Sequence, residues 1–169
     1  MSYCRCSGKG AMHMIDGVEI KELKQIKDNR GFLMEILRGS DKIKSDGQKA
    51  FGQVYLSTAY PAVIKGKHLH KIQTDHLTVI KGRAAIHIED ARENSPTKGQ
   101  KEAILVGEDN WKLVKIPPGI WHTTENVGTE VCYFINYVTR EYDHREPDEY
   151  RGQFDEAERK MPWKPLVMG

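Results

Sequence analysis

The chain has 169 residues and a formal net charge of +2, with 26 basic and 24 acidic residues interspersed along it. That length suits one ordinary domain with a real core, and the near balance of charge argues against a nucleic-acid or membrane surface as partner while leaving room for an anionic small molecule. No apolar run is long enough to span a bilayer and no secretory h-region is present, so the sequence reads as soluble and cytoplasmic.

In chain order, residues 1–13 ("MSYCRCSGKGAMH") are small and polar without periodicity and read as a flexible leader or a cloning remnant. A single domain is expected over 14–169. Cys4 and Cys6 in the leader and Cys132 in an apolar run do not make a disulfide framework, and packing is the expected role of Cys132. "GFLMEILRG" (31–39) fits a strand or a short helix. "GQVYLSTAY" (52–60), "DHLTVIKG" (75–82), "RAAIHIED" (83–90), "WKLVKIP" (111–117) and "EVCYFINYV" (130–138) carry alternating or continuous apolar runs rich in Val, Ile and Tyr, as strands do. Turn residues separate them at Lys81-Gly82, 93–99, 117–119 and 126–130. "QFDEAERKM" (153–161) suggests minor helical content at the C-terminus. The strand-turn rhythm predicts an all-β antiparallel sandwich or barrel, the jelly roll included.

The stretch "KGKHLHKIQTDHLTVIKG" (65–82) concentrates the chemistry. In a strand, residues two apart share a face, so His68 and His70 point the same way. Asp75 follows on the next strand, and His122 comes after "IPPGIW", where a turn fixes the chain entering a strand. His68, His70, Asp75 and His122 form a donor set suited to a divalent ion. Solvated histidines on an exposed strand are the plain alternative. His76 alternates with Asp75 and is expected on the outer face, and His87 reads as a satisfied core or surface histidine. Should no cation be present, Asp75 needs a positive partner, for which a protonated His68 or His70 is nearest in sequence.

The spacing resembles the two motifs of the cupin superfamily: His68-x-His70, four residues, Asp75, six residues, Gly82; then Pro117-Pro118-Gly119, two residues, His122, three residues, Asn126. From Asp28 onward the chain also resembles the dTDP-4-dehydrorhamnose 3,5-epimerase family, through "DNRGFLMEI" (28–36), "GQVYLS" (52–57), "VIKGKHLHK" (63–71), "IEDARENSPTKG" (88–99), "IPPGIWH" (116–122) and "YVTREY" (137–142). This resemblance implies a cupin-type double-stranded β-helix, or jelly roll, that forms a homodimer and needs no metal or other cofactor for catalysis. It implies a nucleotide-sugar substrate, with His68 as the base that removes a proton next to a ketone. His70 and His122 would relay protons or polarise that ketone, with Asp75 in the same catalytic set. Arg30, Glu35, Gln53, Lys65, Asn136 and Tyr142 would hold the substrate, Arg30 and Glu35 across the dimer. "GKHLHK" further resembles the sugar 3,4-ketoisomerases. Three departures stand out. Asp75 replaces the family's active-site lysine. Asn136 replaces its catalytic tyrosine, with Tyr137 expected on the opposite face of the strand. No counterpart of the family's acidic partner for the base is apparent near the C-terminus. A metal-dependent cupin holding an ion on His68, His70, Asp75 and His122, and a sugar-nucleotide-binding relative without catalysis, are the alternative readings.

Overall fold

A computed structural model describes residues 14–41 and 51–154. The leader at 1–13, with Cys4 and Cys6, and most of the expected helix at 153–161 lie outside the described residues. Among these, every regular element is a strand, and no helix is long and apolar enough to cross a membrane.

The strands are β1 (Glu19–Glu22), β2 (Gln25–Asp28), β3 (Gly31–Met34), β4 (Gln53–Ala59), β5 (Ile64–Leu69), β6 (Asp75–Lys81), β7 (Arg83–Asp90), β8 (Lys101–Gly107), β9 (Lys112–Ile116), β10 (Ile120–Asn126), β11 (Cys132–Val138) and β12 (Tyr150–Arg151). They build two five-stranded sheets, in the orders β1-β9-β6-β11-β4 and β12-β5-β10-β7-β8, with β2-β3 as a separate hairpin. All pairings are antiparallel. The architecture is the expected cupin-type jelly roll.

Alternation explains the core. Leu77 and Val79 on β6, Ile86 and Ile88 on β7, Val114 and Ile116 on β9 and Phe134 on β11 recur at every second position and fill the space between the sheets, together with Ile104, Val106 and Ile120. Each such side chain contributes about 1.5–3 kcal/mol on leaving water. Cys132 belongs to this core, and burial pushes its thiol up to about 11.

The five strands read from the sequence are present as β4, β6, β7, β9 and β11. The ambiguous stretch 31–39 is a strand only over Gly31–Met34. Beyond it, Ile36 and Leu37 pack with Leu23, Leu113 and Trp111 in a second apolar cluster. Lys21 Nζ donates to the Ile36 carbonyl at 3.0 Å and to Asp41 at 2.5 Å, and these tertiary bonds replace the helical ones.

The segment 90–99 is a polar corner. Asp90 Oδ2 accepts from Arg92 Nη2, Ser95 Oγ and Thr97 Oγ1 at 2.8, 2.5 and 2.5 Å. Burial alone would raise the Asp90 carboxyl, but these donors outweigh it and hold it well below the usual carboxylate range. The corner sits on the turn before β10, where the Ala91 N–H donates to the Gly119 carbonyl at 3.1 Å and the Gly119 N–H donates to the His70 carbonyl at 2.8 Å. Gly119 has φ +82°, and a Cβ there would meet Arg92 Cγ at 2.5 Å, so only glycine serves.

Candidate functional site

Strand pairing assembles the histidines. β5 and β10 are neighbours, and their register sets His68 opposite His122. Gly66, two residues earlier, has φ +119° and lies so close to β10 that a Cβ would meet the His122 carbonyl at 2.9 Å. The ring of His122 lies 6.1 Å from that of His68 and 5.2 Å from that of His70. Asp75 opens β6 on the other sheet and faces them.

The four residues expected as one metal-binding set divide into two groups. His70, Asp75 and His122 offer ligand atoms that all lie within 4.8 Å of one another. Asp75 Oδ2 is 3.7 Å from His70 Nε2 and 3.5 Å from His122 Nε2. His68 stands outside this triad. Its Nε2 is 3.8 Å from Glu149 Oε1, and Glu149 is held in turn by Arg151 Nε at 2.8 Å. Of the two partners expected for Asp75, His68 or His70, it is His70 that lies against it, joined by His122, while His68 faces Glu149.

Each member of the triad is oriented from behind. His70 Nδ1–H donates to the Asp148 carbonyl, and His122 Nδ1–H to the Ile120 carbonyl at 3.3 Å. With those protons on Nδ1, both Nε2 lone pairs face the carboxylate. Asp75 accepts from Gln73 Nε2 at 2.7 Å on one oxygen and from Asn136 Nδ2 at 2.9 Å on the other. Asn136 spends both its N–H groups and one oxygen lone pair: its Oδ1 accepts the His76 N–H at 3.2 Å, and Nδ2 also donates to the Tyr55 hydroxyl at 2.7 Å.

The C-terminal segment supplies the rest. The Asp148 carboxylate accepts the N–H groups of Lys71, Ile72 and Gln73, each at 2.9 Å. Burial would raise this carboxyl, but the three amides outweigh it and its pKa is lowered. Tyr150 and Arg151 then pair with Leu69 and His68 as β12. Glu149 thus occupies the position beside His68 for which the sequence showed no counterpart. Nothing in "REYDHREPDEYR" separates Asp148 and Glu149 from a solvated charge run. Their role comes from contacts made about 80 residues away in the chain.

The other sequence-derived candidates disperse. Gln53 Oε1 accepts the Tyr142 N–H at 2.9 Å, and Tyr142 lines a groove of about 940 Å³ with Phe51, Arg140 and His144 that includes none of His68, His70 or His122. Lys65 Nζ donates to the Thr58 carbonyl at 3.1 Å. Arg30 is 85% exposed and pairs with Asp28 at 2.5 Å, while Glu35 pairs with Arg38 at 3.6 Å, so both engage their own segment. Tyr137 lies on the face of β11 opposite Asn136, against His76 at 5.1 Å. His76 does face away from Asp75, yet it is fully buried rather than on an open outer face. His87 is buried, with its Nε2 3.1 Å from Glu125 Oε2.

The family model described as "Polysaccharide biosynthesis C-terminal domain" matches residues 26–150. A probable low-salt glycan biosynthesis epimerase of Haloferax volcanii is 35% identical over 94% of this chain and all of its own length. A spore coat polysaccharide biosynthesis protein of Bacillus subtilis is 36% identical over 89% of this chain and 97% of its own. Among solved structures, a dTDP sugar isomerase of Desulfovibrio desulfuricans superposes with a TM-score of 0.76 at 26% identity, covering 88% of this chain and 92% of that one. A 3,5-epimerase of Legionella pneumophila in complex with dTDP-4-keto-L-rhamnose does so at 0.75 and 26%, covering 88% and 79%.

Burial is the leading cause that lowers both His68 and His122 below the ordinary histidine value of 6.5, and for each a neighbouring carboxylate partly opposes it. In the folded protein both rings resist protonation, so as pH falls below 6.5 the unfolded state takes up protons first and stability declines. NMR titration of the ring protons is expected to give midpoints below 6.5 for His68 and His122. A midpoint above 6.5 for either contradicts the burial argument.

Proposed function

The chain belongs to the polysaccharide biosynthesis C-terminal domain family, and on that premise we propose that it is an epimerase or isomerase of a nucleotide-linked 4-keto-6-deoxy sugar, with His68 as the base. The observation that carries this reading is the His68–Glu149 pair, a half-buried imidazole kept neutral near pH 7 with a carboxylate 3.8 Å from its Nε2. A neutral imidazole takes a proton from the carbon beside the ketone, and Glu149 stabilises the imidazolium that results. His70 and His122 stand beside this pair, the His122 ring 6.1 Å from that of His68 and 5.2 Å from that of His70. The relatives named as epimerases support the reaction class, and the neighbour solved with dTDP-4-keto-L-rhamnose supports a nucleotide-sugar ligand.

On this reading proton abstraction uses no cofactor, the base standing outside the His70–Asp75–His122 triad. A second reading rests on that triad. Two Nε2 lone pairs and a carboxylate oxygen converge, at separations near the roughly 3.4 Å that tetrahedral ligation at about 2.1 Å requires. Their far nitrogens donate to main-chain carbonyls, as those of metal-bound histidines do. A divalent ion held there would supply Lewis-acid polarisation of the ketone oxygen. One experiment separates the readings. The purified protein is incubated in heavy water with a nucleoside-diphosphate-linked 4-keto-6-deoxyhexose. Wild type is expected to incorporate deuterium beside the ketone, before and after exhaustive chelation. His68→Asn should lose at least about 10²-fold in that rate with nucleotide affinity little changed. Undiminished exchange in the variant removes His68 from its role. Loss on chelation with recovery on one divalent ion favours the metal reading.

The working unit is proposed to be a homodimer. The β2-β3 hairpin is hydrogen-bonded to neither sheet and exposes Ile26, Phe32 and Leu33, and the edge strand β4 exposes Val54 and Leu56. Pairing between copies would cover these surfaces and carry Arg30 or Glu35 into the neighbour's site. Sedimentation velocity at micromolar concentration is expected to give a dimer, and a monomer overturns the proposal.

A further inference from the structure

Inverting a carbon needs an acid on the face opposite the base, and Asn136 stands where the resembling family carries its tyrosine. Resting on the epimerase reading above, we propose that Tyr55 is that acid: a phenol supplied from the neighbouring strand β4, held in the site by Asn136.

Four observations carry this. First, β4 pairs with β11 in a register that sets Tyr55 directly opposite Asn136, and the Asn136 Nδ2–H donates to the Tyr55 oxygen at 2.7 Å. The residue that took the tyrosine's place thus grips another tyrosine. Second, the direction of that bond is fixed. Asn136 Oδ1 is occupied by the His76 N–H, so the amide can only donate to Tyr55. The phenolic oxygen accepts, and among the described residues its own proton meets no acceptor. It is left for a ligand. Third, His68 is on β5 of one sheet, while Tyr55, Asn136 and Asp75 are on β4, β11 and β6 of the other. Base and acid are therefore carried by different sheets, and Tyr55 is 39% exposed and so open to a ligand. Fourth, Tyr55 lies in the field of both Asp75 and Glu149, the carboxylates of the two histidine groups. Burial, then Asp75, pushes its hydroxyl up to about 12, so it is protonated at neutral pH.

The step balances as follows. The neutral His68 imidazole takes the proton from the carbon beside the ketone, and the C–H electron pair moves into the enolate, with negative charge on the former ketone oxygen. The enolate pair returns to the same carbon and binds the Tyr55 proton on the opposite face. The phenolate left behind is stabilised by the Asn136 Nδ2–H, and the imidazolium by Glu149. Loss of one proton from His68 to water and gain of one by Tyr55 from water restore the protein.

The test is run in heavy water with dTDP- and UDP-linked 4-keto-6-deoxyhexoses, scoring inverted product and deuterated, uninverted substrate separately. In Tyr55→Phe the ratio of inversion to exchange is expected to fall at least about tenfold. An unchanged ratio with an active wild type overturns the Tyr55 assignment and leaves the epimerase reading standing. A wild type that neither exchanges nor inverts these sugars overturns both. Should Tyr55→Phe fail to fold, 3,5-difluorotyrosine at position 55 keeps the shape and acidifies the phenol. The alkaline limb of the inversion rate is then expected to move to lower pH, and an unmoved limb overturns the assignment.

Discussion

The Asp148 carboxylate accepts three consecutive main-chain amides, those of Lys71, Ile72 and Gln73, and the geometry of the site follows from that clamp. Those amides belong to the corner between β5 and β6, which a sheet ladder cannot satisfy because the chain is leaving one sheet for the other. Without the carboxylate the exposed amides of Lys71 and Ile72 would turn to water, and the half-buried amide of Gln73 would be costly to leave unpaired. Charge-assisted bonds of this kind contribute about 1.5–3 kcal/mol each, against roughly 1–2 kcal/mol per residue for ordering the returning segment. The same residue fixes His70 through its carbonyl, and the next three place Glu149 and β12 against His68. One corner thus orients a histidine of each group.

A division of labour follows from which sheet supplies which atom. The sheet containing β5 and β10 provides His68 and His122, with His70 just past the end of β5. The other provides Asp75, Asn136 and Tyr55. The first set is rich in nitrogen lone pairs, and the second in oxygen and amide groups. Asn136 links its three neighbours on that second sheet through one side chain, so the carboxylate of the triad and the Tyr55 phenol are positioned together. Replacing a tyrosine by asparagine at this position need not remove an acid from the pocket. It can relocate one to the adjacent strand.

Much of this was legible in the sequence. The two histidine motifs, in register at the right separation, placed His68, His70, Asp75 and His122 together, because strand alternation and a proline-glycine turn are local and leave spacing behind. The long apolar strands were legible for the same reason. Strands β1, β2 and β8 were not, since "EIKE", "QIKD" and "KEAILVG" mix charges into short runs that resemble loops. Asp148 and Glu149 were invisible because an acidic pair in a charged segment carries no periodicity, and its meaning comes from amides and an imidazole in a distant turn. Tyr55 was missed because its significance is a cross-strand register, which single-chain spacing does not encode. The division of one expected metal quartet into a triad and a base–carboxylate pair also depends on that returning segment.

Native-state hydrogen exchange read beside proton-exchange activity tests this dependence most directly. In wild type, the amides of Lys71, Ile72 and Gln73 should be protected from solvent exchange despite lying in a corner. In Asp148→Ala those three should exchange freely while amides of β6, β7 and β11 stay protected, and His68-dependent deuterium incorporation into a nucleotide-linked 4-keto sugar should fall at least about tenfold. If the three amides remain protected in the variant, or if incorporation continues at the wild-type rate once they are released, the clamp is not what organises the site.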